Sequence, residues 1–332
     1  QMGLVLSTLS QIPLYIDAIP NRRYDTEGGR MVSLRSQTSN HGSGWSAVDI
    51  GRALIWLKIV AHWHPEFERR IQSIVDNWSL ELVFEDGKLR DRWDTGQKTS
   101  TGASKGFGYE QYAGVGFYIW GKGSPEIYFQ NDVQRVLVEG INLQHSSRQP
   151  NRLVSDPFFL ALLEFGGLDD SFNRLANGIY AAHIQRWKEF EIVSAFAEET
   201  IDAAPWKLFN TIYDGEQNAA WQCRGIDRKL NERCVSISTK LSFMWWALYD
   251  DEFSTDLQGI TGALTHPKFG FFNGLYDDGE VNSSLSVDTA AMVLEALYYL
   301  RNGRQPFIQI DTNSLFNAEQ LVPPNLEAQL DQ

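Results

Sequence analysis

The sequence predicts an all-α fold in which helices form an (α/α) toroid, with a small β-hairpin inserted. Helices that are apolar on nearly every face alternate along the chain with amphipathic helices, as expected for an inner ring covered on both sides and an outer ring that faces water. Polar, glycine-rich segments connect these helices. No glycine pattern typical of a Rossmann or P-loop fold interrupts the alternation.

The elements follow in chain order from this alternation. The segment Met2 to Ile12 opens the chain as a helix. Apolar inner helices are predicted over Ser46 to His64, Tyr109 to Trp120, from Asp156 onward, Cys234 to Tyr249 and Ser286 to Leu300. Amphipathic helices are predicted over Glu66 to Trp78, Asp132 to Glu139, Asp170 to Phe190 and Glu252 to Leu264. Glu81 to Trp93 alternates around Asp86-Gly87 and predicts a β-hairpin. Since no linker interrupts the pattern, we expect one domain over residues 1–307 and a tail at 308–332.

Composition excludes several classes of partner. The chain has 332 residues, 43% of them hydrophobic, and a formal net charge of −13, which disfavours nucleic acid and anionic lipid surfaces. The basic residues form no patch along the sequence, and no run of 18 apolar residues predicts a membrane-spanning helix. The six histidines lack ligand spacing, so we expect no catalytic metal and no cofactor.

The cysteines lie close together in one polar segment. Cys223 and Cys234 are either unrelated thiols or a disulfide, which would stabilise the fold by roughly 3 kcal/mol. A disulfide would imply an oxidising compartment, so a periplasmic or extracellular location is expected.

The most informative carboxyl is Glu110, at the start of an apolar and aromatic helix. An acid at the rim of an apolar pocket can have a raised pKa and act as a general acid at neutral pH. The flanking Gly106 and Gly108 allow a ligand to approach the backbone closely. The alternative is a first-turn acid that only stabilises the helix end, and we favour the functional interpretation.

Asp49 opens another apolar helix in the same way. Ser46 is the better N-cap candidate, which leaves Asp49 three residues inside the helix and available for chemistry. A capping box is the alternative explanation. Capping fully explains Asp156, since Pro157 follows it, and either Glu198 or Glu199 is expected to line a cleft.

Four segments together resemble the bacterial domain-of-unknown-function family 3131. They are Ile19-Pro20-Asn21-Arg22-Arg23-Tyr24-Asp25-Thr26, Gly44-Trp45-Ser46-Ala47-Val48-Asp49-Ile50-Gly51-Arg52, Gly108-Tyr109-Glu110-Gln111-Tyr112-Ala113 and Tyr276-Asp277-Asp278-Gly279-Glu280-Val281-Asn282. More distantly, the layout is similar to glucoamylase-like (α/α)6-barrel glycosidases, which include endo-β-1,2-glucanases. The first helix pair of that barrel is not recognisable in the sequence, and Tyr109 stands where that group often has an extra Asn or Asp.

The distant resemblance implies a general acid at Glu110 and an essential acid at Asp49. We expect stacking surfaces for sugar rings and side chains that hold sugar hydroxyls around them. The stacking candidates are Trp45, Tyr109, Tyr112, Phe271, Phe272 and Tyr276, and the hydroxyl-binding candidates are Arg52, Glu280 and Asn282.

Three hypotheses for function follow. The first is a glycoside hydrolase or transglycosylase that acts on a bacterial glucan or exopolysaccharide through two carboxylates. The second is a non-catalytic glycan-binding or scaffolding domain of a polysaccharide synthesis or export system. The third, a toroid acting on isoprenoids, is disfavoured because no Asp-Asp-x-x-Asp motif is present; Asp250-Asp251-Glu252 is the nearest acidic cluster.

Overall fold

The computed structural model describes residues 1–104, 106–123, 127 and 133–310. Most of its helices lie where the sequence predicts them; the exceptions are residues 132–139 and the start of the helix that ends at Tyr249. The helices are α1 (Met2–Leu9), α2 (Ala47–Trp63), α3 (Glu68–Asp76), α4 (Tyr109–Tyr118), α5 (Asp156–Phe165), α6 (Asp170–Phe190), α7 (Thr239–Tyr249), α8 (Glu252–Gly262) and α9 (Val287–Arg301). Single 3₁₀ turns lie at Pro65–Phe67 and Leu80–Val83.

The helices that are apolar on nearly every side form the inner layer. Helix α2 packs against α4, α4 against α5, α5 against α7, and α7 against α9. Helices α3, α6 and α8 lie outside them, against α2, α5 and α7. These outer helices are amphipathic; α3, for example, buries Ile71, Ile74 and Val75. The inner and outer layers of the (α/α) prediction are therefore present in the described part of the chain.

Helices α2 and α4 approach each other through residues without bulky side chains. A Cβ added at Gly116 would overlap the carbonyl oxygen of Gly51, and one added at Gly51 would overlap Ala113. Only glycine permits two helix backbones to come this close. This contact fixes the relative position of the two helices that begin near Asp49 and Glu110.

The prediction of an all-α protein is not confirmed, because the connections between helices pair into several antiparallel sheets. The strands are β1 (Leu14–Tyr15), β2 (Ile19–Pro20), β3 (Phe84–Glu85), β4 (Lys88–Asp94), β5 (Thr99–Ala103), β6 (Val133–Val138), β7 (Ile141–Ser146), β8 (Arg152–Leu153), β9 (Glu198–Thr200), β10 (Lys207–Asp214), β11 (Ala219–Gly225), β12 (Val235–Ser238), β13 (Thr265–His266), β14 (Gly270–Phe271), β15 (Gly274–Tyr276) and β16 (Val281–Asn282). The predicted hairpin is β3–β4, which β5 extends. Strands β8 to β11 form a second sheet, and β12, β15 and β16 form a third.

The helix predicted over residues 132–139 is wrong: its described part is strand β6, paired with β7. The turn between them places Glu139 and Gly140 at positive φ, as does Asp86-Gly87 in the first hairpin. A two-residue turn of this kind matches the twist of paired strands, and the β-branched Val133, Val136 and Val138 favour the extended conformation. Asp132, the first residue of the predicted helix, lies outside the described residues.

The cysteines form a disulfide, Cys223–Cys234, which links β11 to the start of β12. At the other end of the described chain, Phe307 and Ile308 are buried, and the indole of Trp63 donates a hydrogen bond to the carbonyl oxygen of Phe307 (2.8 Å). Among the described helices, none is both long and apolar enough to span a membrane.

Candidate active site

The N-terminal ends of the inner helices meet at one end of the inner layer. Ser46, Ser238 and Ser286 accept a hydrogen bond from a backbone N–H in the first turn of α2, α7 and α9, so Ser46 is the N-cap, as predicted. Charged residues that follow these caps then come together. The Lys240 ammonium nitrogen lies 2.8 Å from a carboxylate oxygen of Asp288 at the start of α9.

Asp156, which the sequence assigns to helix capping, belongs to this charged group instead. Ser155 holds the N-cap position of α5, and no side chain caps that helix. One carboxylate oxygen of Asp156 lies 2.9 Å from the Lys240 nitrogen, and the other accepts the backbone N–H of Glu198 (3.1 Å). The Asp156 carboxylate thus binds the buried Lys240 ammonium and the first backbone N–H of β9, and it does not cap the N-terminus of α5.

A cleft of about 850 Å³ runs between α2 and α9. Its polar end contains Asp49, Arg52, Asp288 and Glu295. The rest of its wall is mainly apolar: Met2, Ala53, Trp56, Ile59, Val60, Trp63, Val287, Ala291, Leu294, Tyr298 and Phe307, with His64 beside them. Asp49 is exposed at the mouth of this cleft.

Arg52 connects the acids of the cleft. One terminal nitrogen lies 3.2 Å from a carboxylate oxygen of Asp288, and the other lies 3.5 Å from a carboxylate oxygen of Glu295. Behind them the fully buried carboxyl of Glu164 accepts hydrogen bonds from the Tyr112 hydroxyl (2.6 Å) and the Trp56 indole (3.0 Å). The Arg52 guanidinium therefore attracts three carboxyls, of which Glu164 and Glu295 are buried and Asp288 is partly exposed.

The carboxyls in this cluster have pKa values shifted in opposite directions. Burial raises the pKa of Glu295 to about 8, with repulsion from Glu164 adding to the shift and Arg52 opposing it. Burial also acts to raise the pKa of Asp288, but attraction to Lys240 and Arg52 outweighs it and holds that pKa well below its usual range. At neutral pH the cleft therefore contains a protonated carboxyl beside an ionised one, a combination suited to acid–base chemistry.

Glu110 lies in a different pocket, so the two predicted catalytic acids do not share the cleft. Its half-buried side chain lines a pocket of about 300 Å³ beside Lys88, Arg90 and Arg148. Burial raises the pKa of Glu110, and these three cations oppose the shift. The Asp91 carboxylate interacts with both predicted acids and accepts the Ala47 N–H (2.9 Å). Repulsion from Asp49 acts to raise the pKa of Asp91, and repulsion from Asp91 acts to raise the pKa of Glu110.

Most of the predicted aromatic contacts are buried. Trp45 is 3% exposed and its indole donates to the Arg90 carbonyl oxygen, while Tyr109, at the start of α4, is 7% exposed. Tyr112 and Tyr276 are also buried, with hydroxyls that donate to Glu164 and Asp202. Since these rings have no open face in the structure, we assign them no stacking role.

The remaining predicted contacts lie in the segment before α9, and only part of them is accessible. Phe271 and Phe272 are half-buried, and Glu280 is exposed in a turn. Asn282 is buried and its amide donates to the Thr200 carbonyl oxygen (2.9 Å), which gives it a structural contact. No group of three or more His, Cys, Asp or Glu side chains within the described ranges could hold a metal ion.

A family model described as "Protein of unknown function (DUF3131)" matches residues 1–303. The chain belongs to the DUF3131 family. The resemblance seen in the four sequence segments is thereby confirmed. No curated protein matches this DUF3131 chain.

Solved structures share the fold of the DUF3131 chain at low sequence identity. An endo-β-1,2-glucanase from Chitinophaga pinensis, in complex with sophorotriose and glucose, has a TM-score of 0.64 at 13% identity over 95% of this chain and 79% of that chain. A glucoamylase-like protein from Bacteroides caccae has a TM-score of 0.62 at 12% identity, over 91% and 76%. A β-1,2-glucanase from Parabacteroides distasonis has a TM-score of 0.58 at 13% identity, over 96% of this chain and 48% of that chain.

The shifted carboxyls predict that the DUF3131 chain loses stability as the pH rises from about 5 to 8. Glu295 and the buried Glu199 both have a pKa raised to about 8, whereas an unfolded chain releases these protons near pH 4.3. The folded state therefore binds more protons in this window, and its free energy of unfolding falls with rising pH. Urea denaturation from pH 5 to 8.5 should show a shallower fall for Glu295→Gln than for the unmodified protein. The exposed Glu68→Gln serves as the control, and equal slopes for Glu295→Gln and the unmodified chain would contradict the prediction.

Proposed function

We propose that the chain is a glycan-active enzyme, a glycoside hydrolase or transglycosylase that acts on a bacterial glucan or exopolysaccharide. The observation that carries the proposal is Glu110, a half-buried carboxyl of raised pKa that lines a pocket at the start of an inner helix. A carboxyl whose pKa is raised by burial is better suited to donate a proton to a leaving group than an ordinary exposed carboxyl is. The fold shared with glucanases supports the same reaction class.

Glu110 would protonate the leaving glycosidic oxygen. Asp49, exposed at the mouth of the cleft, would activate water directly or through a relay. Because these two side chains line different pockets, the glycan would have to extend from one pocket to the other. Inverting glycosidases separate their two carboxyls by about 6.5–9.5 Å to admit water, whereas retaining enzymes separate them by about 5–5.5 Å.

Other residues would hold the glycan without taking part in proton transfer. Arg52 would contact sugar hydroxyls at the polar end of the cleft, where Asp288 and Glu295 orient its guanidinium. Phe271 and Phe272 would offer apolar faces for stacking, since both rings are partly accessible. Glu280, which is exposed, would accept hydrogen bonds from hydroxyls.

We also propose a periplasmic or extracellular location. The disulfide between Cys223 and Cys234 supports it, because disulfides form and persist mainly in oxidising compartments.

Replacing Glu110 by glutamine is expected to lower turnover by roughly 10²–10⁴-fold, because the amide cannot donate the proton to the leaving oxygen. Release of reducing ends should be measured on linear β-1,2, β-1,3, β-1,4 and α-linked glucans and on bacterial exopolysaccharides, with Asp49→Asn in parallel. Glu68→Gln and Asp256→Asn change exposed acids elsewhere and should leave turnover unchanged. If the unmodified chain binds a glycan without turning it over, the non-catalytic binding domain is favoured instead. Full turnover by the Glu110→Gln variant would exclude Glu110 as the general acid.

A further inference from the structure

Helices α2 and α9 lie at the two ends of the series of packed inner helices, and the cleft separates them. Helix α4 covers one side of α2, and α7 covers one side of α9. Because both helices are apolar on nearly every side, the sides that face the cleft are apolar as well. Trp63, Val287, Leu294 and Tyr298 are exposed there. A contiguous exposed apolar surface commonly marks a binding site.

The wall of the cleft follows one stripe of residues on each helix. On both helices the lining residues recur at intervals of four, three and four, which places them on one face. They are Asp49, Ala53, Trp56 and Val60 on α2, and Val287, Ala291, Leu294 and Tyr298 on α9. Since a helix rises 1.5 Å per residue, each stripe is about 16 Å long.

The apolar part of the cleft offers a sugar chain few hydrogen-bonding groups. The Trp63 indole donates to the carbonyl oxygen of Phe307, and the Trp56 indole donates to Glu164, so both N–H groups are used inside the protein. The aliphatic side chains beside these rings have no polar atom. A sugar hydroxyl enclosed here would lose its hydrogen bonds to water, which costs free energy, whereas an alkyl chain would gain free energy from burial.

The polar end of the cleft has a different chemistry. Asp49, Asp288 and Glu295 lie there with the guanidinium of Arg52. The Lys240 ammonium is buried behind Asp288 and does not line the cleft. Three carboxyls beside one cation disfavour an anionic head group such as a phosphate, but they can hydrogen-bond to hydroxyls. The ligand that matches both parts of the cleft therefore has an uncharged, hydroxyl-rich head and an apolar chain.

We propose that the cleft binds a neutral glycolipid, with its sugar head beside Asp49 and Arg52 and a single apolar chain between α2 and α9. That this glycolipid is also the substrate rests on the function proposed above. The glycan would extend from the polar end toward Glu110, and the apolar chain would extend in the other direction. The cleft volume of about 850 Å³ lies within the range of small-ligand sites. A second copy of the chain fits less well, since two molecules with a formal net charge of −13 repel each other.

Alkyl glucosides of increasing chain length test the cleft directly. Glucose and hexyl, octyl and decyl β-D-glucoside should be titrated into the folded chain by calorimetry, below their micelle concentrations. We expect one molecule to bind per chain, with a dissociation constant that falls about three- to fourfold for each added methylene. Glucose should bind at least about 100-fold more weakly than octyl glucoside, since it has no apolar chain. Octanoate should bind at least about tenfold more weakly than octyl glucoside, because the acids of the polar end repel its carboxylate.

A matched pair of leucine variants locates the binding site. Leu294→Gln places a polar amide in the apolar stripe and should weaken the binding of octyl glucoside about tenfold. Leu137→Gln is the control, because the two leucines are exposed to a similar extent, 66% and 65%, and Leu137 lies on β6 and does not line the cleft. The control should bind as the unmodified chain does. If Leu294→Gln fails to fold by circular dichroism, Val287→Gln, at an exposed position of the same stripe, decides.

The outcomes separate the cleft from the reaction. Affinity that does not depend on chain length, binding beyond one molecule per chain, or unchanged binding by Leu294→Gln would overturn the proposal, and octanoate that binds as tightly as octyl glucoside would contradict the neutral head. A dimer that sedimentation detects and that Leu294→Gln dissociates, without glucoside binding, would assign the cleft to a second copy. Cleavage of linear glucans without binding of any alkyl glucoside would leave the proposed enzyme and remove the glycolipid. Binding of octyl glucoside without turnover of any glycolipid would leave the binding site and contradict its role in catalysis.

Discussion

Replacing Arg52 by methionine is expected to destabilise the fold by about 3 kcal/mol at pH 9. The substitution removes the cation that lies between Asp288 and Glu295 and that attracts the buried Glu164. Removal of one partner from a buried ion pair typically costs about 3–5 kcal/mol, and the lower value applies because the Arg52 side chain is 28% exposed. Urea denaturation gives the free energy of unfolding directly.

The pH dependence of this loss identifies its cause. At pH 6 Glu295, whose pKa is about 8, is protonated and needs no cation, so the destabilisation by Arg52→Met should be smaller than at pH 9. Adding Glu295→Gln to Arg52→Met should restore part of the stability at pH 9, since the carboxyl that would ionise there is replaced by a neutral amide. Arg70→Met removes an exposed arginine and is expected to change the free energy of unfolding by no more than about 0.5 kcal/mol. A loss that is the same at pH 6 and pH 9 would show that packing, and not charge, explains the effect.

Replacing Gly116 by alanine is expected to destabilise the fold by about 3 kcal/mol, because the new methyl group has no space between α2 and α4. The atoms it would overlap belong to the Gly51 backbone, which cannot rotate away as a side chain can. Overpacking of this kind typically costs about 1–3 kcal/mol, and the upper end applies where backbone must shift. Separation of the helices should also reduce turnover, since Asp49 and Glu110 begin these two helices.

Gly259→Ala provides the matched comparison. Gly259 lies inside helix α8, and a Cβ added there would meet no atom within 4 Å. Without a clash, alanine favours the helix over glycine by roughly 0.5–1 kcal/mol, so this variant should be as stable as the unmodified chain or slightly more stable. Similar free energies of unfolding for the two variants would show that the contact between α2 and α4 is not close in solution.

The helices could be predicted because each carries a long apolar or amphipathic pattern, whereas most strands could not. Segments such as β9 and β16 span three and two residues, which is too short for alternation to be recognised. Their pairing is decided by the helices that bring the connecting segments together. Strand β6 was misread because Val, Gln and Arg can also be placed on an amphipathic helix, and the turn at Glu139-Gly140 is the signal that separates the two.

The candidate site was predictable where one residue stood out locally. Asp49 lies in the first turn of an apolar helix, three residues after a serine cap, and Asp288 lies similarly, two residues after Ser286; this signal could have identified Asp288. Lys240 and Glu164 are charged residues within apolar helices, another usable signal. Their partners lie far away in sequence, so neither the ion pairs nor the raised pKa of Glu295 could be foreseen.

Adjacent residues on one helix also face different surroundings, which a sequence does not resolve. Successive side chains point about 100° apart around a helix axis. The Tyr109 side chain lies within the electrostatic range of Asp156, Asp288 and Arg52, whereas Glu110 faces Lys88, Arg90 and Arg148. Glu110 was therefore correctly expected at the start of an inner helix, yet it lies outside the cleft that contains Asp49.

The meeting of the inner helix N-termini gives this end of the protein a built-in positive field. Aligned peptide dipoles place roughly half a positive charge at the N-terminus of each helix, and their effect fades within the first turn. Asp49 and Asp288 lie inside that range, in the first turns of α2 and α9, where the field favours a negative charge. Glu295 lies two turns further along α9, and Glu164 lies near the opposite end of α5, where the field no longer favours a negative charge. The same backbone that favours negative charge at the rim thus does not oppose the burial that raises the pKa values of the deeper Glu295 and Glu164.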